Sequence, residues 1–196
     1  MAGSPPIDPN LITLARLPLA PLAVVCLVTD TVWGVLAAAG LALLLEITDI
    51  LDGKIARTYG AVSDFGKLFD PFSDAFSRFT LFLGLYAIGV ADLWMIMAIF
   101  YRDSSVSFFR TVAATRQVVI AARPSGKIKA IVQGVGTQII FIALTAEKLQ
   151  FTQDGSLIAW WTMFLVTLVT LWSFVDYFTG SLPVLREAWS DRRDSS

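Results

Sequence analysis

The chain has 196 residues, of which 56% are hydrophobic and only 16% are charged, and its formal net charge is −1. Soluble domains carry about 25% charged residues, so this composition excludes an ordinary soluble domain and indicates a membrane protein. The chain has one cysteine, Cys26, which excludes an intramolecular disulfide scaffold. Because it has no histidine, a metal site would consist of oxygen ligands, and such ligands favour Mg²⁺, Mn²⁺ or Ca²⁺.

Six apolar segments follow one another along the chain, and each approaches the roughly 20 residues that cross a bilayer as a helix. We therefore predict an all-α integral membrane protein in which six transmembrane helices form one bundle. In chain order the segments are 11–28, 33–57, 64–89, 93–121, 126–146 and 156–178. No internal repeat or boundary divides the chain, so residues 1–196 are expected to form a single domain, with a short cytoplasmic lead-in at 1–10 and a polar tail at 183–196.

Basic residues are distributed unevenly among the links between these segments. They concentrate after the second and fourth segments and in the tail, whereas the opposite loops contain only Lys148. Cytoplasmic loops of membrane proteins are enriched in lysine and arginine. This asymmetry predicts that both termini lie in the cytoplasm and that the protein resides in the cell (inner) membrane.

Carboxylates cluster at the predicted cytoplasmic ends of the second and third segments. Asp49 and Asp52 share one helix face, and Asp70 and Asp74 share another, because residues three or four apart lie on the same side of a helix. The short link between the two helices predicts that they are antiparallel neighbours with the carboxylates between them. Unpaired acids would repel one another there, whereas two divalent cations would neutralise them and assist displacement at phosphorus.

Small residues beside these acids leave space for a bulky ligand. Gly53 lies within a helix, where glycine costs about 1 kcal/mol relative to alanine, and Ala56 and Gly66 add two further small positions. Arg57 lies at the rim of the resulting groove, where it could contact a phosphate. Close helix packing is the alternative explanation for either glycine alone, but it explains the whole set of acids, glycines and arginine poorly.

This pattern, D-x2-D-G-x2-A-R-x8-G-x3-D-x3-D, resembles the signature of the CDP-alcohol phosphotransferases, integral membrane enzymes of phospholipid synthesis. The resemblance implies a six-helix bundle, usually a homodimer, with a two-metal site that is open to the cytoplasm and the lipid. It implies that Mg²⁺ or Mn²⁺ ions are held by Asp49, Asp52, Asp70 and Asp74, with Asp74 also acting as the general base. It also implies a CDP-lipid site formed by Asp49, Asp52, Gly53, Ala56, Arg57 and Gly66.

Four further segments resemble the phosphatidylglycerophosphate synthases of bacteria, a branch of this family: "PNLITLARLPLAP", "YRDSSVSFFR", "SGKIKAIVQ" and "LWSFVDYF". That resemblance implies transfer of the phosphatidyl group from CDP-diacylglycerol to sn-glycerol-3-phosphate, with release of CMP. Arginine and lysine bind phosphate dianions well, and the candidates for the acceptor's phosphate are Arg102, Arg110, Lys127 and Lys129. Positive-inside anchoring is the alternative role for such residues, and Arg102 could simply pair with Asp103.

Two other functions stay open at this point. One is a sister enzyme that uses inositol phosphate, serine or another small alcohol as acceptor. The other is a cation or proton carrier with intramembrane acids, which the lack of an inverted repeat disfavours. The expected partners are the two substrates, the lipid bilayer and a second copy of the chain, and no nucleic acid.

Overall fold

The computed structural model describes residues 9–59, 64–115 and 123–190, and these residues form helices and the links between them, without a strand. The predicted all-α class is therefore confirmed. The helices are α1 (Pro9–Val28), α2 (Val32–Tyr59), α3 (Asp64–Ala87), α4 (Leu93–Thr115), α5 (Pro124–Lys148) and α6 (Gly155–Ser190).

The last helix is longer than predicted. The sequence analysis ended it at Phe178, but α6 continues through Gly180 and Pro183 to Ser190, so part of the predicted polar tail is helical. Leucine, arginine, glutamate and alanine in this stretch are good helix formers, and they outweigh the interruption by proline. The predicted end of the fourth segment at residue 121 lies outside the described residues.

Helix α1 occupies the space between α2 and α3 and packs against both of them. Among the described residues α2 and α3 touch each other at few positions, so their predicted direct pairing is limited there and α1 fills most of the space between them. Small side chains allow the close approach of α1, since Ala20 and Ala23 are fully buried. Gly84 of α3 serves the same purpose, because a Cβ atom there would lie 2.8 Å from a methyl group of Val24.

The second half of the bundle is built on α6, which packs against α4 and α5, while α5 also packs against α2. Phe82 and Leu85 of α3, together with Ile140 and Phe141 of α5, are among the buried side chains of the apolar core. This core lies toward one end of the bundle. The buried cations Arg16, Arg78, Arg102 and Lys129 lie toward the other end, which contains the start of α1 and the end of α6.

In the part of the chain that the structure describes, four helices are long and apolar enough to cross a membrane: Asn10–Val28, Val32–Leu51, Pro124–Lys148 and Gly155–Pro183. Helices α3 and α4, with 24 and 23 residues, are also long enough, but charged residues within them lower their hydropathy. Large apolar side chains such as Trp33 and Phe151 are strongly exposed on the bundle surface, as expected for a surface that faces lipid. The chain is a multi-pass membrane protein.

Candidate functional site

Helix α1 holds predicted acids of both neighbouring helices. The hydroxyl of Thr13 donates a hydrogen bond to Asp70 Oδ1 of α3 at 3.1 Å. One turn later, Arg16 Nη1 contacts Asp49 Oδ1 of α2 at 2.7 Å. Neither Thr13 nor Arg16 was among the site residues predicted from the sequence. A charged residue within an apolar membrane helix is a functional signal in itself, and Arg16 could have been found by that criterion.

A second buried arginine, Arg78 of α3, lies among the carboxylates. Its Nε donates to Asp74 Oδ1 at 3.0 Å. Its Nη2 lies 3.7 Å from Glu46 Oε2 and 4.0 Å from Asp49 Oδ2, both on α2. The Arg78 side chain is only 8% exposed, whereas those of Asp49 and Asp74 are about one third exposed. Because a buried charge is stable only when it is paired, these contacts allow Arg78 to remain charged inside the bundle.

The two helices present Asp49 and Asp74 to one small cavity of about 10 Å³, roughly the space that one water molecule requires. Asp70 lies one turn before Asp74 on the same helix. The structure thus places carboxylates of α2 and α3 at a common site, where Arg16 of α1 and Arg78 of α3 contact them. The cavity lining is Arg16, Leu45, Glu46, Asp49, Asp74, Ser77, Arg78 and Leu81.

The structure describes the side chains of only some residues of the predicted nucleotide groove. Helix α2 runs without interruption to Tyr59, which places Asp52 and Arg57 on the same helix as Asp49. Gly66 is buried near the start of α3. The side chains at Asp52, Gly53, Ala56 and Arg57 lie outside the described set, so their roles remain predictions.

The donor chemistry of this site fits a hard divalent cation. The acids of the motif offer oxygen ligands only, which suit Mg²⁺ and Mn²⁺, and the partial exposure of Asp49 and Asp74 leaves oxygen lone pairs accessible. Among the side chains that the structure describes, no three acidic or thiol groups lie close enough to hold an ion by themselves. The side chain of Asp52, the other acid that the motif predicts as a ligand on α2, lies outside that description.

A cluster of basic residues lies on α4 and α5. Lys129 Nζ contacts both carboxylate oxygens of Asp103, at 2.8 and 2.9 Å. Arg102 Nη1 contacts Asp103 at 2.8 Å, and its Nη2 donates to the hydroxyl of Ser173 on α6 at 2.8 Å. The alternative that Arg102 pairs with Asp103 is therefore confirmed. Two buried cations share one carboxylate, which leaves a positive charge in excess.

Tyr177 of α6 organises the exposed side of this basic cluster. Its hydroxyl accepts hydrogen bonds from Arg110 Nη2 at 3.1 Å and from the backbone N–H of Arg123 at 3.2 Å. The guanidinium carbons of Arg102 and Arg110 lie 5.2 and 5.7 Å from the centre of its ring, within the range of a cation–π contact. Arg110 is exposed, as is Lys127 on α5, so both remain accessible to an anion. The sequence analysis did not single out Tyr177, although it lies in the "LWSFVDYF" segment.

One protein family matches most of the chain. The family model for CDP-alcohol phosphatidyltransferase matches residues 7–172. The chain is 30% identical over 190 residues to the CDP-diacylglycerol–glycerol-3-phosphate 3-phosphatidyltransferase of Bacillus subtilis, a match that covers 91% of this chain and 96% of that protein. It is 28% identical over 167 residues to the protein of the same name from Rickettsia felis, covering 85% and 92%. A probable phosphatidylglycerophosphate synthase of Mycobacterium tuberculosis is 30% identical over 145 residues, covering 69% and 66%.

Proposed function

Because the chain belongs to the CDP-alcohol phosphatidyltransferase family, we propose that it transfers the phosphatidyl group of CDP-diacylglycerol to sn-glycerol-3-phosphate. Family membership confirms the resemblance of the acidic motif and makes the chain a transferase of phospholipid biosynthesis. Relatives named for this reaction support glycerol-3-phosphate over inositol phosphate or serine as the acceptor.

One structural observation supports this choice of acceptor. Arg78 binds Asp74 and also donates from Nη1 to the carbonyl oxygen of Ala130 at 3.1 Å. Ala130 directly follows Lys129, so the acidic site and the basic cluster are adjacent across α3 and α5. Glycerol-3-phosphate has a hydroxyl at one end and a phosphate dianion at the other. A site with a carboxylate beside a cation cluster matches both of its ends.

In the proposed reaction Asp74 accepts the proton of the attacking hydroxyl. The hydroxyl oxygen forms a bond to the phosphorus that carries the diacylglycerol, the bond from that phosphorus to the bridging oxygen breaks, and CMP leaves with the electron pair. Two Mg²⁺ or Mn²⁺ ions, when bound by Asp49, Asp52, Asp70 and Asp74, would neutralise the pyrophosphate charge. The proposed contacts to the CDP moiety come from Gly53, Ala56, Arg57 and Gly66.

The acceptor's phosphate is bound, in this proposal, by the exposed cations Arg110 and Lys127. Arg102 and Lys129 lie deeper and share Asp103. They contribute excess positive charge to the buried side of the acceptor pocket, and their ion pairs fix their positions. Tyr177 holds Arg110 by its hydroxyl. The pocket thereby offers a buried positive charge together with two exposed cations that can contact a dianion.

The proposed placement in the membrane has all six helices spanning the bilayer, with both termini and the active site on the cytoplasmic side of the cell membrane. The charge asymmetry of the links supports this orientation. So does the chemistry, because the acceptor is a soluble anion and the donor's nucleotide is polar. A homodimer completes the proposal, by resemblance to the family.

The proposed function can be tested with purified protein in lipid nanodiscs. CDP-diacylglycerol and Mg²⁺ are supplied with glycerol-3-phosphate, inositol phosphate or serine, and CMP release and the lipid product are measured. We expect phosphatidylglycerophosphate to form, with little product from the other acceptors. Preference for another acceptor would make the protein a sister enzyme. Absence of CMP release with every acceptor, together with cation flux across liposomes, would support the carrier alternative.

A second test concerns the acceptor pocket. Replacing Arg110 or Lys127 with alanine should raise KM for glycerol-3-phosphate and leave KM for CDP-diacylglycerol nearly unchanged. Loss of a charged hydrogen bond costs about 1.5–3 kcal/mol, which is roughly a ten- to hundredfold increase in KM. Both KM values are measured for each variant. Lys148→Ala is a matched control, because Lys148 lies at the other end of α5, where it pairs with Asp30 at 2.7 Å. An unchanged acceptor KM in both site variants would contradict this pocket.

A further inference from the structure

We propose that Arg78 is a positioning residue, which fixes the carboxylate of Asp74 relative to helix α5 and is itself oriented by Gln133 and Glu46. This inference rests on the proposed function, because Asp74 and α5 are taken to hold opposite ends of the acceptor. Neither the acidic motif nor the basic cluster includes Arg78. Its importance follows from contacts between helices that the motif does not describe.

The guanidinium of Arg78 contacts two helices through different nitrogen atoms. Nε donates to Asp74 Oδ1 at 3.0 Å within α3, and Nη1 donates to Ala130 O at 3.1 Å and to Gln133 Oε1 at 3.4 Å on α5. Because a guanidinium is planar and rigid, these contacts together fix the distance and direction between the Asp74 carboxylate and α5. A lysine ammonium is a point charge on a flexible stem and cannot reproduce this geometry.

Gln133 is held in the orientation that this role requires. Its side chain is fully buried, and its Nε2 donates to Thr170 Oγ1 at 3.2 Å. The hydroxyl of Thr170 donates in turn to the carbonyl oxygen of Val166 at 2.7 Å, so its oxygen is left to accept from the amide. This order of donors directs the amide oxygen of Gln133 toward Arg78. The final glutamine of the "SGKIKAIVQ" segment thereby obtains a physical role.

Glu46 approaches the same guanidinium from α2. Its Oε2 lies 3.7 Å from Arg78 Nη2, and Gly134 of α5 leaves space for the carboxylate in this position. A Cβ atom at Gly134 would lie 2.8 Å from Glu46 Oε2. Carboxylates from two helices and carbonyl oxygens from a third therefore surround Arg78. The guanidinium has little freedom to turn away from Asp74.

The functional consequence concerns the position of the base relative to the acceptor. Lys127 and Lys129 lie within the turn of α5 that precedes the residues contacted by Arg78. If Asp74 moves relative to these residues, a bound acceptor can keep its phosphate on the cations or its hydroxyl beside Asp74. It cannot make both contacts in the reactive geometry. A misplacement of about 1 Å can cost about a hundredfold in rate. Loss of the Arg78 fork should therefore lower kcat and leave substrate binding largely intact.

The decisive variants are Arg78→Lys, which keeps the charge, Arg78→Ala, which removes it, and Gln133→Leu, which removes only the amide. For each variant kcat, both KM values and the melting temperature with and without Mn²⁺ are measured in detergent. We expect kcat to fall about a hundredfold for both Arg78 variants and less for Gln133→Leu. Both KM values and the stabilisation by Mn²⁺ should stay close to those of the wild type. Guanidinium ion added to Arg78→Ala should recover part of the lost kcat.

Lys148→Met is the matched control, since it removes an ion pair at the other end of the bundle and should retain wild-type kcat. Full activity in Arg78→Lys would overturn the proposal, because charge alone would then suffice. So would loss of Mn²⁺ stabilisation or of melting cooperativity in Arg78→Lys and Gln133→Leu, because the role would then be structural. Failure of the proposed function is recognised separately, from wild-type protein that makes no product from glycerol-3-phosphate. The positioning role is measured as the ratio of variant to wild-type kcat.

Discussion

Replacing Asp49 or Asp70 with asparagine should abolish most of the turnover, and EDTA should abolish activity reversibly. In the proposed two-metal site each substitution removes one charged oxygen ligand, and the chain contains no histidine to replace it. A bound metal contributes several kcal/mol of charge stabilisation to the transition state, and each 1.36 kcal/mol corresponds to a factor of ten. The expected loss for either variant is therefore at least about a hundredfold.

The structure suggests how to separate loss of the metal from loss of the fold. Asparagine retains a side-chain oxygen, so Thr13 and Arg16 keep an acceptor at the positions where they now contact Asp70 and Asp49. Activity, Mn²⁺ binding and melting temperature are measured together. Asp30→Asn is a matched control, because Asp30 also pairs with a cation but lies in the link between α1 and α2. Full activity in EDTA, or in either site variant, would exclude the two-metal proposal.

Replacing Asp74 with asparagine should lower kcat much more than it weakens binding of the CDP-lipid. General-base catalysis contributes about 10²–10⁴-fold, and asparagine cannot accept the proton of the acceptor. The amide oxygen of the new side chain would still be able to accept the hydrogen bond that Arg78 Nε now donates to the carboxylate, so the local geometry should be preserved. Steady-state kinetics with each substrate varied in turn will show whether kcat or KM changes.

The control for Asp74 is Asp92→Asn. Asp92 accepts a hydrogen bond from the indole of Trp160 at 3.0 Å, in the link between α3 and α4, and its replacement should leave kcat unchanged. If Asp74→Asn instead loses binding of the CDP-lipid outright, Asp74 acts chiefly as a metal ligand. Comparison with Asp49→Asn is then informative. If Asp49 and Asp74 both act only as metal ligands, the two variants should have the same kinetic defect.

The positions of the charges explain why hydropathy alone identifies only four of the described helices as candidate spans. In α3 the charged residues include Asp70, Asp74 and Arg78, and in α4 they include Arg102 and Asp103. Asp74 pairs with Arg78 and Asp103 pairs with Arg102, while Asp70 accepts a hydrogen bond from Thr13. These charges therefore do not face lipid as isolated groups. Residues that serve the proposed reaction are thus the ones that weaken the hydrophobic signal of their helices.

The sequence by itself determined the helical class, the order of the six helices and most of their ends. These properties are local, because an apolar run and the spacing of residues along one helix require no knowledge of the neighbouring helices. The placement of Asp49 and Asp52 on one helix and of Asp70 and Asp74 on another follows from the same local geometry. The extension of α6 beyond Phe178 was not predicted, because the apolar segment ends there, whereas a helix can continue through less apolar residues that favour it.

Only the tertiary structure decided which side chains meet. In the folded chain α1 lies between α2 and α3, Arg16 contacts Asp49, and Asp103 contacts both Arg102 and Lys129. The contact between Arg78 and Gln133 joins residues 55 positions apart in the chain. Such contacts depend on how each helix is rotated about its axis and which neighbours it packs against, and that choice is made by the fit of whole helix surfaces. The spacing of residues along one sequence does not show how the helix surfaces fit together.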